Sequence, residues 1–196
     1  MDAFLALRQN ACMKTDTRQL LSELREDHRN MALVLSVLEA SVEVAATGGD
    51  PDFELIGQIM HYMTVYPDAV HHPKEDVVYT ELQEQRPDLA DGLDDVREDH
   101  IQIAVLGNTL RDDVEAIVAG AAVRREQFVL DALKYVERLR KHMYWEERDL
   151  FIRIDTMLGT ESHAVEVGNL LRIKDPVFAP DVESGFRRLL SSLEAC

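Results

Sequence analysis

The sequence predicts an all-α protein, an up-down-up-down antiparallel four-helix bundle with a short C-terminal helical tail. Three observations carry the prediction. Four long stretches repeat apolar residues at helical spacing, short links marked by Gly or Pro join them, and no segment is strand-rich or alternates strand with helix. Links this short set consecutive helices antiparallel. On these boundaries residues 1–16 are an N-terminal extension, 17–159 the bundle, and 160–196 a tail packed on it.

The first helix is expected from Thr17 to Ala46, with Leu20, Leu21, Leu24, Met31, Leu35 and Leu38 on one face, and Thr47-Gly48-Gly49-Asp50-Pro51 stops it. The second runs from Asp52 to Glu84 and contains Pro67 and Pro73. An interior proline deletes a backbone hydrogen bond and collides with the carbonyl four residues back, so this rod should kink or divide into two collinear pieces. The third is expected from Pro87 to Gly120 and the fourth from Val123 to Leu158, before Gly159. Beyond Thr160 the pattern weakens. A short helix is expected within 161–173, a turn or extended piece at Asp175–Pro180, and an amphipathic helix over 181–194 with Phe186, Leu189, Leu190 and Leu193 on one side. The first dozen residues read as a frayed helix or disorder.

A net charge of −16, from 37 acidic and 21 basic residues, argues against nucleic acid and anionic membrane as partners, since both require a basic footprint. No apolar run approaches the roughly 20 residues of a membrane span, and the N-terminus lacks a secretory apolar core. Cys12 and Cys196 read as free thiols of a reducing compartment, which makes the cytoplasm the expected location.

Arg-Glu-Asp-His occurs twice, at 25–28 and 97–100. Each copy is followed by a second histidine with a glutamate four residues on: His28 by His71-x-x-x-Glu75, and His100 by His142-x-x-x-Glu146, at gaps of 43 and 42 residues. On a helix, i and i+4 share a face about 5–6 Å apart. The repeat therefore sets four imidazoles and at least two carboxylates at matching heights on four helices. An inward histidine taken alone is more often a hydrogen-bonded core residue; it is the repeated spacing that makes these four a set. Buried glutamates without compensation cost many kcal/mol. Metal cations supply it, and imidazole with carboxylate suits iron, manganese or zinc.

The fourth helix offers two carboxylates. Helical spacing favours Glu146 as the partner of His142, whereas Glu147, like Glu75, lies 47 residues after the histidine of its own Arg-Glu-Asp-His. His72 lies about 100° round the helix from His71 and reads as outside the ligand set or exposed, with a ligand's place as the alternative. His61 reads as structural or surface, and His163 as exposed. Asp27 and Asp99 read as solvated or as orienting the metal face from behind. Met31, Met60, Met63 and Met143 read as core, and Tyr144 and Trp145 as packing that shields the site.

These residues, over about 18–155, resemble the hemerythrin-like (HHE cation-binding) family. The resemblance implies a four-helix bundle around two non-haem irons, with His28, His71, His100 and His142 as terminal ligands and Glu75 with Glu146 or Glu147 as bridges. It implies binding or sensing of O2, NO or iron and redox state, or else an enzyme acting on peroxide or nitric oxide. The chain departs from the O2-carrying members, which have two histidines one turn apart on the third helix. Here Val96 and Ala104 flank His100 at that distance. Water, His72 or another donor are the alternatives for the imidazole that the third helix lacks. An open coordination position favours reactivity or sensing over storage. The ferritin-like alternative uses Glu-x-x-His, the reverse of the order seen here.

Overall fold

A computed structural model describes residues 14–159, 163–180 and 184–195; both cysteines and nearly all of the expected N-terminal extension lie outside them. Among the described residues the regular structure is helical apart from one two-stranded ribbon. Helix α1 spans Thr17–Ala46, α2 Phe53–Tyr66, α3 His72–Gln85, α4 Leu93–Val118, α5 Arg125–Trp145, α6 Phe151–Leu158 and α7 Arg187–Glu194. A π-helical turn, Pro67–His71, joins α2 to α3, and a second, Glu146–Leu150, joins α5 to α6. Helix α2 packs on α4, α5 packs on α1 and α4, and α1 also meets α2 and α3. No helix among the described residues is long and apolar enough to cross a membrane.

Local chemistry sets the boundaries. The Asp16 carboxylate accepts from the Arg18 N–H at 2.8 Å and opens α1, and Asp52 accepts from Leu55 at 3.0 Å and opens α2. The second rod does divide at its prolines. In the first π turn the His72 N–H reaches back five residues to the Pro67 carbonyl. This wider turn accommodates Pro73, which has no N–H to give and whose ring would strike a carbonyl in a regular helix. In the second π turn the Phe151 N–H reaches the Glu146 carbonyl. No proline marks it, and the sequence carries no signal for it.

Several expectations need correction. The third helix begins at Leu93 rather than Pro87, because Pro87–Leu89 is an isolated 3₁₀ turn and Gly92 adopts φ +85°, a left-handed conformation no helix contains. The expected helix within 161–173 does not form over the described part of that range. Ala164–Glu166 is instead strand β2, antiparallel to β1 at Lys14–Asp16, with Thr15 opposite Val165; a 3₁₀ turn at Leu170–Arg172 follows. Val165 and Val167 alternate with exposed Ala164 and Glu166, a period of two that signals a strand. The ribbon anchors the start of α1: the Thr17 N–H donates to the His163 carbonyl at 2.8 Å. His163 is partly buried rather than exposed, 3.1 Å from Glu81. The last helix starts at Arg187, after a 3₁₀ turn at Ser184–Phe186, and buries Phe186 and Leu189 against the cluster that α1 and α2 share.

The core is divided. One apolar cluster gathers Met31 to Ala45 of α1, most of α2, Ile103 to Val114 of α4 and Phe128 to Met143 of α5. The other gathers Leu20, Leu21 and Leu24, then Val78, Tyr79 and Leu82, then Leu93 and Val96, then Leu150 to Leu158. Between them, on every rod, lies one polar step: His28 on α1, His71 to Glu75 on the second rod, His100 on α4, His142 to Glu146 on the last. Met31, Met60, Met63 and Met143 all lie in the first cluster, as core residues should.

Candidate metal centre

Glu75 and Glu146 are fully buried, and His28, His71 and His142 nearly so. They meet in one layer. Glu75 Oε1 is 3.2 Å from His71 Nε2 and 3.8 Å from His28 Nε2, and its Oε2 is 3.4 Å from His100 Nε2. Glu146 Oε2 is 3.2 Å from His142 Nε2 and 3.4 Å from His28 Nε2. His100 and His142 point Nε2 at Nε2 across 3.0 Å. Two imidazole lone pairs face each other at that distance only with a proton or a cation between them. Among the described residues, three groups have donor atoms close enough for a shared cation: His28, His71 and Glu75; His100, His142 and Glu146; and His72, Glu75 and His100.

The two adjacent glutamates separate cleanly. Glu146 points into the layer, while the Glu147 side chain is 34% exposed and accepts from His28 Nδ1 at 3.0 Å from behind. Helical spacing, not the internal alignment, describes this pair. The rear nitrogens of His71 and His142 meet carboxylates in the same way. Asp27 Oδ2 lies 3.4 Å from His71 Nδ1, and Asp99 Oδ2 lies 3.0 Å from His142 Nδ1. Each such contact fixes Nδ1 as an N–H and turns Nε2 inward, where it carries a proton or offers a lone pair to a metal. Asp27 is a hub, accepting also from Tyr66 Oη at 3.0 Å and from the buried Lys74 Nζ at 3.4 Å. Asp99 is held by Arg138.

Sequence reasoning missed Tyr79. Its buried hydroxyl lies 2.7 Å from Glu146 Oε1 and 3.1 Å from Glu75 Oε1. Burial and the two carboxylates push the phenol well above its ordinary value, so it keeps its proton as a donor. Its place one turn beyond Glu75 was the available signal. Tyr144 does not shield the site: it is 63% exposed, under Arg148. Trp145 packs against Gly92 and Arg153 at the edge of the second cluster. His61 is exposed and stacks on Phe186, away from the layer.

The charges show what the layer lacks. Burial pulls His71 down, but Glu75 and Asp27 outweigh it and raise its pKa to about 10. His28 and His100 are also raised, against burial, chiefly by Glu146. Burial pushes Glu146 up, yet His142, His100 and His28 hold it well below the usual carboxylate range. Protons on imidazole thus take the place of cations. Even so, His28 Nε2, Glu75 Oε2 and Glu146 Oε2 remain buried with no hydrogen-bond partner. Such atoms are costly when unsatisfied, and all three face the centre of the layer. Five nitrogen and two carboxylate donors around buried, unsatisfied atoms fit a pair of first-row divalent metal ions.

Above the layer lies a cavity of about 10 Å3, on the scale of a single water. His71, His72 and His142 form one wall, and Met31, Ile103 and Leu139 line the apolar side.

Fold and site together define an all-α metal-binding protein. The chain belongs to the hemerythrin family: the Hemerythrin HHE cation binding domain matches residues 19–159. No curated protein and no solved structure gives a significant match.

Proposed function

We propose that this chain is a non-haem di-iron protein that binds or senses O2, NO or the cellular iron and redox state. The observation that carries the reading is the buried layer of two carboxylates and surrounding imidazoles with unsatisfied atoms turned inward. His28, His71, His100 and His142 would hold the two irons together with Glu75 and Glu146. Glu147 would act on His28 rather than on metal. Zinc or manganese would fit the same donors in protein produced without iron. The scaffold is read as an up-down-up-down bundle. In support, α1 and α4 run from the second apolar cluster to the first, and the other two rods run back.

When bound, the irons supply reversible one-electron chemistry and an affinity for diatomic ligands. The protein's part is positional. Carboxylates behind His28, His71 and His142 aim three imidazoles, and Tyr79 donates to Glu146 and Glu75. Apolar clusters on both sides keep bulk water from the layer. The small apolar cavity admits a ligand of diatomic size and refuses larger ones. This favours O2, NO or peroxide over any extended substrate. The net acidic surface offers nothing to a nucleic acid.

The test is to load the protein with iron, reduce it anaerobically, and follow its visible spectrum on exposure to O2, NO and peroxide in turn. Binding or sensing predicts a stoichiometric spectral change without continued consumption. Sustained consumption of peroxide or NO would establish the enzymatic alternative, and no spectral change with any of them would overturn both.

A further inference from the structure

We infer that His72 is a further imidazole donor to the metal pair, serving the ion held by His100 and His142; the inference rests on the metal-binding reading above. A regular helix would turn His72 about 100° away from its neighbour His71. It is not turned out of the site. The π turn Pro67–His71 ends at His71 and α3 opens at His72, so an extra residue is wound into the backbone just before the pair. Both consecutive histidines line the same small cavity.

Three further observations converge. His72 offers a donor atom to a common point with Glu75 and His100. Its Nδ1 lies 3.1 Å from Asp68 Oδ1, which leaves Nε2 as the nitrogen free to coordinate. This is the arrangement of His28 with Glu147, His71 with Asp27 and His142 with Asp99. A carboxylate behind the ring is the habitual accompaniment of a metal-bound imidazole. Finally, the ring lies over His100, centroids 4.0 Å apart and 17° from parallel, and the side chain is 14% exposed.

The two ions are then unequal. One has His28 and His71, while the other has His72, His100 and His142.

Cobalt(II) alone is the probe. In the wild-type chain loaded with two Co(II), proton NMR in H2O should show five hyperfine-shifted exchangeable imidazole N–H signals, one from each of His28, His71, His72, His100 and His142. His72→Phe keeps a ring stacked on His100 but removes the donor. It should show one signal fewer and bind one of its two Co(II) at least tenfold more weakly, with the melting temperature of the metal-free protein unchanged. Four signals in the wild type, or unchanged affinity for both ions in His72→Phe, would overturn the assignment while leaving the metal centre standing. A wild-type chain that takes up no Co(II) would overturn the metal-binding reading and this proposal with it.

Discussion

Replacing Asp27 by Asn should weaken the fold and the metal centre together, by amounts that follow from its contacts. Asp27 is 5% exposed, and the change preserves its shape while removing its charge. Oδ1 still accepts from Tyr66. Oδ2 loses its charge opposite His71 Nδ1 and Lys74 Nζ, both at 3.4 Å. Hydrogen bonds to charged groups are worth about 1.5–3 kcal/mol, and contacts this long belong at the low end, giving about 3 kcal/mol for the two. Lys74 keeps Glu23 at 3.3 Å, which limits the damage to the lysine. A chain of this size loses about 2–4 °C of Tm per kcal/mol, so the metal-free variant should melt about 6–12 °C lower. Loss of the carboxylate behind a metal-bound imidazole typically costs about 10–100-fold in affinity. Thermal unfolding of metal-free protein and competition against a chromophoric chelator read the two effects separately. A variant that melts lower but binds metal as tightly as the wild type would refute the claim that Asp27 aims His71.

Three further outcomes are expected. Glu146→Gln should abolish binding of the metal pair, whereas Glu147→Gln should preserve two metals per chain and weaken binding about tenfold through His28; metal analysis after gel filtration separates them. Gly107→Ala should destabilise the fold by about 1–3 kcal/mol without changing metal stoichiometry, because the new Cβ would lie 3.0 Å from Tyr135 and 3.1 Å from Thr64 where α4 meets α2; urea unfolding measures it. The metal-free protein should lose stability at both ends of the pH range. His71 is raised from 6.5 to about 10, so its contribution is full below 6.5 and lost as pH climbs through about 10; Glu75 and Glu146 are lowered from 4.5, so theirs is present above 4.5 and lost as pH falls below it. Urea midpoints measured across pH test this, and a midpoint that rises steadily through pH 10 would contradict it.

The four rods and the polar layer were legible because they rest on periodicity. Apolar residues at helical spacing and a repeated histidine pattern are statements about which face a residue occupies, and packing preserved those faces. What escaped the sequence was backbone that leaves the regular period. His72 reads as turned aside from its spacing alone, yet it lines the cavity with His71 and stacks on His100. The start of α4 was set by one left-handed glycine, and the β1–β2 ribbon by three-residue strands too short to announce themselves. Glu146 and Glu147 could not be separated by two equally good alignments; only the direction of each side chain distinguishes them. Tyr79 stood at a helical spacing that carries no chemistry until Glu146, 67 positions away in sequence, is brought to 2.7 Å.

The most direct test of the central claim is an anaerobic titration of the metal-free protein with Fe(II), following bound iron per chain alongside proton release. The account predicts saturation at two irons, with protons displaced from the buried imidazoles as they bind. Saturation at one iron, or no uptake, would contradict it.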